Sequence, residues 1–329
     1  VNEIITNKVA ITIDAAKLLS KALGPSPQFW INADTNYRLR IKIKIENKKE
    51  KEVGLKAVIL KHMPIREMIK KGWLLDYKKI ADLENGVKKF WNMKRIDFSF
   101  MDKAELPIFR KSNAYYQYNT YYALCWYEMA KKCAKKYSVS KYTKENLYDL
   151  AQNISEFTVK DNGIEDFLNK LNNIGIKFFM LSHLSKTYLD GASFYDNGNP
   201  VIVYSGRYNR TDNFWFTIVH EIAHILMHLK KGGYFLDNLN SLETKVEKEA
   251  DSFASKMLKV KKILKYFKYR MRYISETQVR QCAEQLNIDP AIVVGALQYY
   301  GELSRKNLNR FKKPVMDLIP EKYFVEKIC

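Results

Sequence analysis

Residues 211–230 read TDNFWFTIVHEIAHILMHLK. Phe214, Trp215, Ile218, Ile222, Ile225 and Leu226 recur at intervals of three and four, which predicts a largely buried amphipathic helix. The helix is expected to run from Asp212 to about Leu229, with Gly232-Gly233 ending it. Within it His220 and His224 stand four apart, about 6 Å along the axis and on one face, so both imidazoles can reach one metal ion. Glu221, beside the first histidine, is placed to act as general base at the ion's open position. A charged, solvated helix face is the bland alternative. It fits poorly, because two histidines and a glutamate on a buried helix need a shared polar purpose.

A catalytic zinc ion takes three protein ligands and one water. His228 is a poor third ligand: on a regular helix it lies about 12 Å along the axis from His220. It is expected to cap the helix C-terminus near Lys230 and Gly232 or to stand behind the ligands. The next helical pattern, running from about Leu242 to Tyr266, contains VEKEADSFAS at 246–255. Glu247 and Asp251 are spaced i,i+4, so one can ligate while the other accepts the N–H of a ligating histidine. The spacing favours Glu247 as the ligand. Glu243 and Glu249 are rival carboxylates, and Glu249 faces away from Asp251 on a helical wheel. Ala250 and Ala254 allow close approach of the two helices. Thr244 followed by Glu247 also reads as a capping box, a purely structural use of the same residues.

Outward from this centre the pattern is mixed. Asp166–Ile174 reads as a helix stopped by Gly175, and Ile176–Leu181 as a strand. Gly191–Tyr195 and Pro200–Tyr204 read as two strands joined by the turn Asp196-Asn197-Gly198-Asn199. Residues 275–305 read as two helices with Asp289-Pro290 between them. Towards the N-terminus the chain looks mainly helical. Thr12 can cap a helix that Gly24-Pro25 stops, and residues 120–137 form an aromatic amphipathic helix in which Cys125 and Cys133 are packing residues. Ile41, Ile43 and Ile45 alternate with Lys42 and Lys44 as in a strand, although a long charged helix or linker is also open. A domain boundary is expected near residues 45–52. The fold class expected is α+β, predominantly helical.

The 329 residues carry 56 Lys plus Arg against 36 Asp plus Glu, a formal net charge of +20, and 47% of them are apolar. Such a chain can bury a core, which excludes a disordered or collagen-like protein. No apolar run approaches the roughly 18 residues of a membrane span, so no membrane partner is expected. Four sparse cysteines without a CxxC pair and the lack of a signal-peptide pattern predict a reducing, cytoplasmic setting. Residues 1–150 hold 30 Lys/Arg against 16 Asp/Glu, a net +14, and the remainder a net +6. A basic first half suits an anionic partner such as nucleic acid, or simply a soluble surface.

VHEIAHILMH at 219–228 followed by VEKEADSFAS resembles the ImmA/IrrE family of metallopeptidases. GASFYD at 191–196, NPVIVYSGRYNRTDNFWFTIVHE at 199–221 and IDPAIVVGALQYYGEL at 288–303 extend the likeness over about residues 150–305, within a peptidase domain expected at 151–329. The resemblance implies a zincin-like domain with a small sheet and an HExxH active-site helix. It implies Zn2+ bound by His220, His224 and Glu247, with Glu221 as the catalytic carboxylate, and Asp251 then holds a zinc-binding histidine in its tautomer. Residues 1–40 resemble the second half of a HigA-type Xre helix-turn-helix domain. Residues 1–45 are accordingly expected to be the C-terminal part of such a domain, with the chain beginning inside it at Val1, and 46–150 a helical connecting region. HMPIREMIKKGW at 62–73 and residues 109–132 resemble the connecting segments of long HigA-like regulators.

Together these likenesses imply a DNA-binding regulator whose zinc-dependent peptidase cleaves a repressor-like or toxin-like protein partner, with a homodimer compatible with the helix-turn-helix part. The alternatives are an antitoxin or repressor that acts by binding a toxin and operator DNA with the peptidase fold as scaffold or sensor, and a general metallopeptidase. His183, Arg207, Tyr208 and Tyr234 are the candidates for stabilising an oxyanion.

Overall fold

The computed structural model describes residues 2–6, 8–103, 109–111, 118–229, 243–268 and 273–325, with the side chains of 2, 43–48, 109–111, 243 and 244 excepted. Two compact units emerge: Val1–His62 with Lys78–Ala81, and Met63–Tyr77 with Asp82–Cys329.

The first unit is built on three helices, α1 (Asn2–Ile5), α2 (Ile13–Leu23) and α3 (Pro27–His62). Thr12 caps α2 by accepting from the Ala15 N–H, and Gly24, at φ +93°, ends it. Asp34 and Arg38 of α3 hold the segment leading into α2. Asp34 accepts from the Ile11 N–H, and Arg38 donates both to Asp34 and to the Val9 carbonyl. The alternation of Ile41, Ile43 and Ile45 does not make a strand. Helix α3 runs unbroken through 45–52, the stretch where a boundary is expected from the sequence, and the compact unit extends to His62. A strand without a partner leaves its backbone groups unpaired, whereas Lys and Glu are good helix formers.

The second unit opens with α4 (Ile65–Lys70), α5 (Ile80–Trp91, whose first two residues belong to the first unit) and α6 (Ser99–Asp102). It continues with β1 (Phe109–Lys111), α7 (Thr120–Ala134), α8 (Lys144–Gln152), α9 (Ile154–Thr158) and α10 (Gly163–Asn173). Strands β2 (Lys177–Met180), β3 (Leu189–Asp196) and β4 (Asn199–Tyr204) follow, then α11 (Thr211–Ala223), α12 (Glu243–Met257), α13 (Val260–Phe267), α14 (Glu276–Leu286) and α15 (Pro290–Tyr299). This is the α+β, mainly helical architecture expected. Cys125, Cys133 and Cys282 are buried in α7 and α14, and burial pushes Cys133 up to about 12.

The sheet has the order β1-β3-β4-β2, with β2 parallel to β4 and the other pairs antiparallel. Asn197 (φ +50°) and Gly198 (φ +84°) both take positive φ between the paired Asp196 and Asn199, the two-residue turn that matches strand twist. Gly175 (φ +91°) ends α10 and delivers the chain into β2. A Cβ there would lie 2.5 Å from the Tyr142 nitrogen, so the position requires glycine twice over. Helix α11 lies against β3 and β4 and against α15. Its Phe214, Trp215, Ile218 and Ile222 are buried with Ile202 and Tyr204 in one core. Rings meet edge to face at Phe167–Trp215 (5.4 Å) and Tyr204–Phe214 (5.3 Å).

Two helices expected to be continuous are interrupted. The helix of 212–229 is α-helical to Ala223 and then a π turn over His224–His228, closed by the Leu229 N–H donating to the His224 carbonyl at 2.9 Å. The helix expected over 242–266 breaks at Lys259, which adopts φ +58°, while its Nζ donates to the Leu286 carbonyl at the end of α14 (2.7 Å). The break lets Leu258, Val260, Ile263 and Phe267 all enter the core, which a straight helix could not aim together. Among the described residues no helix is long and apolar enough to cross a membrane.

Candidate metal centre

Helix α11 is fixed at its start by an ion pair away from the chemistry. Asp212 is buried, accepts from Lys312 Nζ at 2.9 Å and from Arg210 Nε at 3.1 Å, and sits where the positive end of the helix favours an acid. Ala250 and Ala254 of α12 are fully buried, and α12 packs directly on α11. The two helices thereby bring His220, His224 and Glu247 together.

The ligand geometry is specific. His220 Nε2 and His224 Nε2 are 3.0 Å apart. Glu247 places Oε2 3.3 Å from His220 Nε2 and Oε1 3.4 Å from His224 Nε2. Four ligands around a tetrahedral zinc at about 2.0–2.1 Å stand about 3.3 Å from one another, which is this spacing. His220 is fully buried and His224 nearly so.

The hydrogen bonds behind the ligands fix the tautomers. His220 Nδ1 lies 2.9 Å from Asp251 Oδ1, and a carboxylate only accepts, so Nδ1 carries the proton and Nε2 is bare. His228 Nε2 lies 3.1 Å from Glu249 Oε2 and by the same reasoning carries its proton. Neutral His228 then has a bare Nδ1, which accepts from His224 Nδ1–H at 3.1 Å, leaving His224 Nε2 bare as well. Burial holds both His224 and His228 below the usual imidazole value, which favours the neutral rings this chain of bonds needs.

Two imidazole lone pairs and a carboxylate oxygen therefore converge. Lone pairs this close repel each other, and a cation is what makes them cohere. Glu247 faces both Nε2 atoms through its two carboxylate oxygens, and that carboxylate would complete the donor set of a bound cation. Its Oε1 is buried and accepts no hydrogen bond among the described residues, as befits an atom meant for a metal. The donor set of two nitrogens and one carboxylate, with room for a fourth ligand, suits catalytic zinc.

Glu221 is fully buried and stands outside this triad. Its Oε1 lies against Gly191 of β3, where an added Cβ would come within 3.0 Å of that oxygen and of Thr217 Cγ2. Absence of a side chain on the strand thus leaves space for the carboxylate. No local pattern marks Gly191, because its role depends on which strand faces the helix.

Of the oxyanion candidates, Arg207 donates to Asp190 (3.1 Å) and to the Tyr188 carbonyl (3.2 Å) and stacks on Tyr208 at 4.6 Å. His183 Nδ1 faces the Leu184 carbonyl at 3.1 Å. Tyr234 lies outside the described residues, as do Lys230 and Gly232, the expected neighbours of His228. Rather than capping a helix end, His228 stands between His224 and Glu249, because the π turn changes its direction. Glu249, disfavoured on a helical wheel, is not among the grouped ligands and partners His228 instead. A cavity of about 560 Å³ adjoins His228, lined by Tyr142, Tyr195, Ile225, Leu226 and Met227 among others.

Residues 163–296 match the Peptidase_M78 family, described as an IrrE N-terminal-like domain. The matched segment contains the three grouped ligands, Glu221 and Asp251, and it supports a metallopeptidase-like function at the level of the family. No curated protein and no solved structure matches the chain.

Proposed function

We propose that the chain hydrolyses peptide bonds of a protein partner, using a zinc ion held by His220, His224 and Glu247. The observation that carries this reading is the convergence of two imidazole nitrogens and a carboxylate within 3.0–3.4 Å of one another. Bound there, zinc supplies Lewis acidity toward a carbonyl oxygen and toward water. The chain's own residues do the rest. Glu221 takes a proton from the attacking water and delivers it to the departing amine nitrogen. It is fully buried and follows His220 directly in α11. Asp251 holds His220 in the tautomer that points Nε2 at the ligand position.

The test is zinc content by mass spectrometry together with cleavage of candidate partner proteins. Wild type is expected to carry one zinc per chain, and Glu221→Gln to retain it while losing about 10²–10⁴-fold in cleavage rate. A Glu221→Gln variant that cleaves at the wild-type rate overturns the reading.

The proposal extends to a DNA-binding regulator, supported by the helix-turn-helix likeness of residues 1–45 and the surplus of 30 Lys/Arg over 16 Asp/Glu in residues 1–150. Its test is operator binding by the full-length protein across a salt series, since phosphate contacts weaken steeply with salt. If Glu221→Gln loses cleavage yet keeps full cellular function, the scaffold or antitoxin reading replaces the protease one. A cytoplasmic setting belongs to the same proposal and accords with sparse cysteines that form no CxxC pair.

A further inference from the structure

We infer that His228 is a positioning residue that acts on the metal centre through His224, and that Glu249 holds His228 in turn. The inference rests on the metal-centre reading of His220, His224 and Glu247 given above.

The two ligand histidines are supported differently. His220 gives its Nδ1–H straight to a carboxylate, Asp251, at 2.9 Å. His224 gives its Nδ1–H to another imidazole, His228, at 3.1 Å, and only then does a carboxylate appear, Glu249, at 3.1 Å from the far nitrogen. Both arrangements do the same primary work. They fix the ring plane and leave Nε2 bare, without which the histidine cannot ligate.

The indirect route has an electrostatic reason. Glu221, Glu247 and Asp251 already cluster about the centre. A further carboxylate set directly on nearly buried His224 would add a costly buried charge. The His228 ring carries the accepting function inward while the charge stays on Glu249, which is 47% exposed and has Lys245 Nζ 3.9 Å away. The backbone is shaped for this. The helix departs from α geometry only at His224–His228, the segment bounded by the two rings that must meet.

Chemistry of the partner atoms supplies a sharp test. An asparagine places its Oδ1 about where the Nδ1 of a histidine stands, so His228→Asn keeps an acceptor for His224 Nδ1–H. His228→Leu fills similar space and offers none. Zinc affinity of the purified full chain is measured at fixed pH by competition with a chromophoric chelator, and the d–d spectrum of the cobalt-substituted protein is recorded beside it. His228→Leu is expected to weaken zinc by about 10–100-fold and to shift the cobalt bands, with His228→Asn recovering most of the loss in affinity. Glu249→Ala, at a half-exposed position that leaves folding intact, is expected to weaken zinc by about threefold, an effect smaller than that of losing the ring.

Wild-type affinity in both His228→Leu and Glu249→Ala overturns the inference. Equal loss in His228→Leu and His228→Asn overturns it too, because packing alone then accounts for the effect. If His228→Leu fails to fold, Glu249→Ala and His228→Asn decide the matter, and wild-type affinity in Glu249→Ala then counts against the relay. A wild-type chain that binds no zinc overturns the metal-centre reading itself, and the inference with it.

Discussion

The two compact units solve the problem of apolar surface in opposite ways. In the first, Ala16 is the one buried residue of α2, while Ile13, Leu18 and Leu23 of that helix are 60–67% exposed. Its order comes from local devices: the Thr12 cap, the Gly24 stop, and the Asp34–Arg38 pair that ties down the entry to α2. In the second unit the side chains of β2, β4, α11 and α15 interlock around Phe214 and Trp215, and the buried charges of Lys177 with Asp196 and of Lys312 with Asp212 are paired. The lesson is that precision is concentrated where chemistry needs it. A metal centre whose donor atoms are set to a few tenths of an ångström demands rigid packing behind it, and the helices of the first unit have no such task within their own contacts.

Substitutions can test this contrast. The largest expected effect is Trp215→Ala, which removes a ring with 1% exposure and should cost the second unit about 3–5 kcal/mol in denaturant unfolding. Leu18→Ala, at 67% exposure, should cost less than about 0.5 kcal/mol, and a comparable loss at both sites would erase the distinction. Next is Lys312→Met. It leaves Asp212 buried with Arg210 alone, and about 3 kcal/mol of stability should disappear in the same unfolding assay. Asp251→Asn comes third: zinc affinity should fall about 10–100-fold, read by chelator competition, with little change in metal-free melting. Smaller again is Thr12→Ala, worth about 1 kcal/mol, above the Leu18→Ala control and confined to α2. Hydrogen exchange should show faster amides there and unchanged protection in α11, and faster exchange in α11 would contradict a purely local role for the cap.

What could be read from the sequence follows the same divide between local and distant causes. The buried face of α11, the Asn197-Gly198 turn, the Gly175 stop and the Asp289-Pro290 helix start are each written in a few consecutive residues, and each stands where the pattern placed it. His220 and His224 belong to this class, since a single helical turn sets their relation. Glu247 and Asp251 needed one further step, the packing of small Ala250 and Ala254, and their spacing still carried it. The π turn, the break at Lys259, the parallel pairing of β2 with β4 and the meeting of Gly191 with Glu221 depend on residues distant in the chain. A spacing of four already sets His228 beside His224, but a period of 3.6 does not show the π turn that forms between them. The Ile41, Ile43 and Ile45 alternation misleads for the converse reason: a strand pattern is meaningful only if another strand is available to pair with it.

His220 and Glu247 are 27 positions apart in the chain, and one bound ion would join them. Such a bond is a cross-link as well as a chemical centre. Like a disulfide closing a loop of that length, it would remove chain freedom from the denatured state, an effect of about 3.5 kcal/mol on the loop-entropy relation. The same ion would then govern how long the peptidase-like unit survives as a folded object, and a chelator would act on it as a denaturant before acting as an inhibitor.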